Sequence, residues 1–165
     1  MIILRTDWVC HDDMKVILRL LTPANSLAIE TSLVTGLRIG DVLAMETDVL
    51  RKGQRISVLE HKTGKTKRVY IPKNLYYRLL SQAGSCFVFP HRFDDKKHRT
   101  RQAVWLDIKR AAKALRLKEC VAPHSARKIY AVQIYKEKGL EACRKALNHS
   151  DTSVTLIYLL SELVK

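Results

Sequence analysis

Between Arg51 and Pro72 the apolar side chains change rhythm. Elsewhere in the chain they recur at spacings of three and four. Here Ile56 and Val58, then Val69 and Ile71, alternate with polar residues, and Glu60 extends the first alternation by one step. A period of two fits a strand with one buried face, and Lys62-Thr63-Gly64-Lys65 between the two runs supplies a turn. The stretch predicts a β-hairpin or a three-stranded meander, with Phe87-Val88-Phe89 as a further short strand or packed segment ahead of Pro90. A strand pair this small needs helices to cover its apolar face. The expected fold class is therefore α+β, mainly helical, with a small antiparallel hairpin or three-stranded sheet.

The helical segments are marked by their punctuation. Residues 12–21 open with two aspartates, which suit a helix N-terminus, and carry apolar residues at helical spacing. Pro23 fits the first turn of a second helix over 24–35, with Leu27, Ala28, Leu33 and Val34 inward. Gly36 breaks it, and Arg38 opens a short helix to Met45 with Ile39, Val42 and Leu43 inside. Pro72 precedes a helix over 73–82. Residues 103–115 form an amphipathic helix with Val104, Trp105, Ile108, Ala112 and Leu115 inside and Lys109, Arg110, Lys113 and Arg116 toward solvent. Pro123 starts a helix that Gly139 stops near Lys138. Shorter helices are expected over 140–147 and 153–163. Residues 91–101 hold seven basic side chains, Lys96, Lys97, Arg99 and Arg101 among them, and read as an exposed loop.

The 165 residues suit one domain with a sizeable core. Their charge is unbalanced: 30 Lys+Arg face 16 Asp+Glu, a formal net charge of +14. That excess favours a polyanion, and nucleic acid is the commonest soluble one. Cysteines stand at 10, 86, 120 and 143, without a Cys-x-x-Cys pair or a histidine at zinc-finger spacing. They read as reduced thiols. The apolar runs are too short for a membrane span, and the N-terminus lacks signal-peptide order. The expectation is a cytoplasmic protein, nucleoid-associated, with no membrane partner.

Several polar residues stand out. His124 and Arg127 are three apart at a helix start, so they share a face near backbone donors that can meet an anion. Leu147-Asn148-His149 precedes the last helix, which carries Tyr158. Arg38 follows Gly36 at a helix start, and Lys62 and Lys65 flank the hairpin turn. Taken singly, each has an ordinary explanation. The helix starts and the lysine turn fit solvated surfaces, and a tyrosine in an apolar helix fits packing with its hydroxyl at the edge.

In their order and spacing, Thr35-Gly-Leu-Arg-Ile-Gly-Asp41, the Lys62-Thr-Gly-Lys65 hairpin, Pro123-His-Ser-Ala-Arg127 and Leu147-Asn-His149 followed by Tyr158 resemble the tyrosine recombinase (phage integrase) family. The match runs from about Ala24 to Tyr158. The resemblance implies a DNA strand transferase in which Arg38 and Arg127 grip one scissile phosphate and Tyr158 is the nucleophile. It implies that His124 assists proton transfer, that His149 hydrogen-bonds the phosphate, and that Lys62 protonates the leaving 5′ oxygen, with Lys65 as the reserve. Two guanidiniums suit the non-bridging oxygens and the charge of a pentacoordinate transition state. A phenol needs such a positive field because its pKa is ~10. The covalent 3′-phosphotyrosine conserves the phosphodiester energy, so neither a nucleotide cofactor nor a metal is implied. Asn148 stands where glycine is usual and tolerates the same left-handed backbone. Asp41 stands where glutamate is more frequent and is placed to support Arg38.

The family reading implies a single catalytic domain over residues 1–165, without the N-terminal DNA-clamping domain usual in its members. It implies double-stranded DNA as partner, weak affinity, a monomer when free and a tetramer on DNA. Lys65, Lys96, Lys97, Arg99, Arg101, Lys109, Arg110 and Lys113 are the expected phosphate contacts, positioning the duplex without reading its sequence. The alternatives are a type IB-like topoisomerase, a non-catalytic DNA-binding module of the same fold, and an RNA-binding protein. The last would leave the ordered spacing of the polar residues unexplained.

Overall fold

The computed structural model describes residues 9–149 and Thr155. In chain order these form α1 (His11–Leu20), α2 (Pro23–Thr35), α3 (Ile39–Leu43), α4 (Thr47–Arg51), β1 (Arg55–Glu60), β2 (Lys65–Tyr70), α5 (Lys73–Gln82), α6 (Arg101–Ala114) and α7 (Pro123–Ala146). Helix α2 is the centre. Its buried face is broad, taking in Asn25, Leu27, Ala28, Ile29, Thr31, Ser32 and Thr35, and α1, α3, α5 and α7 all pack on the helix. Its buried hydroxyls are satisfied locally: Thr31 Oγ1 donates to Leu27 O at 2.8 Å and Ser32 Oγ to Leu37 O at 2.7 Å. Its start is held from α6, where Asp107 Oδ2 accepts from Thr22 N, Thr22 Oγ1 and Asn25 Nδ2 at 2.8–2.9 Å. Its end is Gly36, left-handed at φ 65, whose N–H donates to Ser32 O.

β1 and β2 pair antiparallel from Arg55↔Tyr70 to Glu60↔Lys65. Ile56, Val58, Glu60, Lys67 and Val69 face inward. Among the described residues the sheet has these two strands, so the three-stranded option is not realised. Phe87 makes only an isolated bridge to Glu46, and Val88 N donates to Met45 O at 2.9 Å. The backbone of residues 87–89 thus pairs beside the end of α3 rather than with the hairpin, and Val88 and Phe89 are fully buried in the shared core.

Helix α7 starts at Pro123, where Ser125 Oγ accepts from Ala122 N at 3.3 Å, half of a capping box. It breaks at Gly139 (φ 79, ψ −178) and resumes to Ala146, as the stop at Gly139 predicts. The two arms close a small core of Ala131, Cys143 and Leu147, with Tyr130 and Tyr135 half-buried against it. The helix expected over 153–163 lies outside the described residues except for Thr155. Two inward assignments fail: Val34 is 37% and Trp105 39% exposed. Each sits at the margin of its helix's buried stripe and lines a surface groove instead. Among the described residues no helix is long and apolar enough to cross a membrane.

Candidate active site

The alternation of β1 that buries Ile56 and Val58 also buries Glu60, its last residue. A carboxylate in that position must find donors or lose its charge. The Glu60 side chain is fully buried. Arg38 Nη1 donates to Oε1 at 2.9 Å from the residue that caps α3. Arg127 Nη1, from the first turns of α7, lies 3.4 Å from the same oxygen. Asn148 Nδ2 donates to Oε2 at 2.9 Å and Thr63 Oγ1 at 3.3 Å. Burial alone would raise the carboxyl's pKa. The Asn148 amide and the charges of Arg38, Arg127 and Lys67 outweigh it and hold Glu60 below the ordinary carboxylate range.

The two arginines differ in setting. The Arg38 side chain is 22% exposed and opens on a cleft; that of Arg127 is 1% exposed. Arg127 Nη1 also donates to Gly36 O, and Nη2 donates to Leu147 O at 2.7 Å. Its guanidinium therefore ties the end of α2 to the end of α7. Asn148 takes the left-handed conformation anticipated for it, at φ 57. Asp41, expected to support Arg38, is bonded elsewhere: its Oδ1 accepts from His61 N at 3.0 Å and faces His61 Nδ1 at 3.1 Å. The shorter side chain reaches the start of the hairpin turn, and Glu60 takes the arginine. Glu60 is thus a site residue that sequence reasoning missed. Its only signal was an acidic residue on the buried phase of a strand.

The cleft beside Arg38 has a volume of about 740 Å³ and is lined by Arg38, Lys62, His98, Arg101 and His124, with Gly40, Asp41 and His61 on its wall. A second groove shares Ile39, Thr100, Arg101 and His124 with it and continues past Gln102 and Trp105 to Pro123. Of the two hairpin lysines weighed, Lys62 lines this cleft; Lys65 is exposed on β2, opposite Glu60 in the register. His124 presents an exposed ring, yet it is set in a concave wall. Burial there, then the charges of Arg127, Lys128, Arg38 and Lys62, push its pKa down to about 4. His149 is half-buried. Its Nδ1 lies 3.0 Å from Thr155 Oγ1, and burial, then Arg127 and Arg38, lower its pKa to about 4. Both imidazoles are neutral at pH 7. Tyr158 lies outside the described residues.

A second residue missed is Lys67, inward on β2. Its Nζ donates to Thr35 O at 2.7 Å and stands 5.3 Å from the centre of the Tyr130 ring. Burial, then the charge of Arg127, lowers its pKa to about 7. Among the described residues no three His, Cys, Asp or Glu side chains gather to hold a metal.

The expected phosphate contacts fall into two groups. Arg101 lines both grooves, and Lys109 Nζ lies 5.7 Å over the Trp105 ring and donates to Cys120 Sγ. Lys65, Lys96 and Lys113 are exposed, as is Lys97, which pairs with Asp94 at 3.0 Å. Arg110 instead donates to Asp107 Oδ1 and Leu20 O at 2.6 Å, and Arg99 to Asn25 Oδ1 at 3.3 Å. These two bind parts of the fold.

The chain is similar to known proteins in both sequence and fold. The chain is 25% identical over 131 residues to the "Probable integrase/recombinase YoeC" of Bacillus subtilis (strain 168), covering 76% of this chain and 71% of that one. It is similar in fold to a lambda integrase dimer bound to a COC′ core site, with a TM-score of 0.79 at 19% identity over 94% of this chain and 48% of that one. It is also similar to a lambda integrase tetramer bound to a Holliday junction, with a TM-score of 0.75 at 20% identity over 94% and 48%. The chain spans about half the length of these solved structures. The sequence pattern of the Phage integrase family matches residues 8–162. With that match over most of its length, the chain belongs to the phage integrase family.

Proposed function

We propose that this chain is the catalytic domain, over residues 1–165, of a site-specific DNA recombinase that cuts and rejoins strands through Tyr158. The observation that carries the reading is the convergence of Arg38, Lys62 and His124 on one cleft, with Arg127 behind it on the same Glu60 oxygen as Arg38. Tyr158 Oη attacks phosphorus, the bond to the 5′ oxygen breaks, and a 3′-phosphotyrosine forms. Arg38 binds a non-bridging oxygen, and Arg127 completes the clamp from beneath. Lys62 gives a proton to the leaving 5′ oxygen. His124, neutral at pH 7, accepts the hydrogen bond of the tyrosine hydroxyl, takes its proton onto a ring nitrogen as the Oη–P bond forms, and releases that proton to solvent. His149 supports the phosphate. Attack by another strand's 5′-hydroxyl reverses the step and reseals the DNA.

The partner in this reading is double-stranded DNA, held by Lys65, Lys96, Lys97, Arg101, Lys109 and Lys113. The chain assembles on DNA, a view supported by the tetrameric form of a structural relative on a Holliday junction, and is a monomer when free. Its place of action is the nucleoid in the cytoplasm of a bacterium or phage-infected host. The test is incubation with a nicked duplex that releases a short oligonucleotide on cleavage, in the presence of chelator. A covalent adduct on a denaturing gel, absent from Tyr158→Phe, is expected. An adduct that persists in that variant would remove Tyr158 from the mechanism.

A further inference from the structure

Nothing in the chemistry above uses Glu60, yet its carboxylate is where separate parts of the chain meet. Oε1 takes Arg38 from the start of α3 and Arg127 from α7; Oε2 takes Asn148 from the turn after α7 and Thr63 from the hairpin. Two adjacent guanidiniums repel each other, and a long side chain at a cleft edge has many rotamers to visit. A shared, enclosed carboxylate counters both effects. Asn148 adds a second point. Its backbone is left-handed, a conformation glycine meets more easily, but only a side-chain amide reaches Glu60.

We propose that Glu60 is a positioning residue, with Asn148 as its latch, that holds Arg38 and Arg127 in register before DNA arrives. The proposal rests on the phosphate-clamp reading and deepens it. Glu60→Gln keeps the shape but places an amide donor among donors, so at least one of the Arg38, Arg127 and Asn148 bonds is lost. Asn148→Gly keeps the backbone conformation and removes the latch alone. Misplacement of a reacting group by about 1 Å costs on the order of 10²-fold in rate.

The experiment compares single-turnover cleavage of the nicked duplex, duplex affinity, and the nitrogen-15 guanidinium resonances of the free protein for wild type, Glu60→Gln, Asn148→Gly and the double variant. Cleavage is expected to fall about 10²-fold in Glu60→Gln and about tenfold in Asn148→Gly, with duplex Kd changed less than about twofold. The double variant should be no slower than Glu60→Gln, because the two residues act as one unit. The slowly rotating Arg38 guanidinium signals of the wild type should broaden in both single variants. Wild-type cleavage by Glu60→Gln, or rate and affinity falling together in Asn148→Gly, overturns the proposal. If the wild type forms no adduct while the guanidinium signals change as described, the recombinase reading fails and the ordering of the arginines by Glu60 stands.

Discussion

Arg38 and Arg127 point at one oxygen of Glu60, from 2.9 and 3.4 Å, but only Arg38 opens on the cleft. The two therefore play unequal parts in stability while sharing one in the proposed chemistry. Arg127→Ala strips a buried carboxylate of a cation and leaves Gly36 O and Leu147 O without their donor. That loss is expected to cost roughly 3–5 kcal/mol in urea unfolding. Arg38→Ala leaves Glu60 its bonds to Arg127, Asn148 and Thr63, and is expected to cost about 1.5 kcal/mol, the low end for a charged hydrogen bond. Both should lower adduct formation by at least 10²-fold, the scale of a lost transition-state donor. Equal stability losses would contradict the asymmetry.

The inward amine of Lys67 predicts an unusual pH dependence of stability. Its folded pKa is about 7, against ~10.4 in an unfolded chain. Between those values the unfolded state holds a proton that the folded state has released. Stability must then climb as pH rises from about 7 toward 10, with the penalty at its full size below 7. Other groups titrate in this window, so the measurement is the difference between wild type and Lys67→Met. The wild type should gain stability relative to the variant as pH rises. Parallel curves would mean that the amine titrates normally.

Glu60 and Lys67 also show where reading the sequence stopped short. The alternation that located the hairpin placed both on its buried face, but a charged residue on that phase is indistinguishable from a frayed strand end until its partners are known. Those partners, Arg38, Arg127, Asn148 and Thr35, come from helix ends brought together only by folding around α2. What was legible was local. Pro23, Gly36, Pro72, Pro123 and Gly139 bound helices because each fixes or frees a backbone angle. Helix α4 was missed because Thr47–Arg51 is too short to display a period. Trp105 was misassigned because it lies one step off the stripe of Val104, Ile108, Ala111 and Ala112. Of the proposed site, the cleft positions of Arg38, Lys62 and His124 follow the order of the motifs, whereas the exchange of Asp41 for Glu60 depended on side-chain reach.

Arg101 faces the grooves while Arg110 is bonded to the fold, and salt dependence distinguishes the two. Each phosphate contact releases counterions, so losing one lowers the slope of log K against log salt by about 1. Arg101→Ala is expected to do this, because Arg101 lines both grooves. Arg110→Ala is expected to leave the slope unchanged and to lower stability, because its guanidinium joins Asp107 to the end of α1. A reduced slope in Arg110→Ala with unchanged stability would place that side chain on DNA.

Gly36 joins backbone geometry to the proposed arginine clamp. Its φ of 65 is left-handed, and a Cβ there would stand 2.3 Å from Cδ1 and Cε1 of Tyr130. Its carbonyl also accepts from Arg127. Gly36→Ala must therefore strain the turn, displace the ring and disturb the guanidinium. The backbone contribution alone is about 1–2 kcal/mol, and overpacking adds about 1–3 kcal/mol. Gly64 provides the control, since it has φ 66 with open space where its Cβ would lie. Gly64→Ala should cost only the backbone contribution. Gly36→Ala should cost more than that and also reduce adduct formation, and Tyr130→Leu in the Gly36→Ala background should recover the steric part but not the backbone part. Equal losses of stability at the two glycines in denaturant titrations would show that the ring yields freely and that Gly36 is required for its conformation alone.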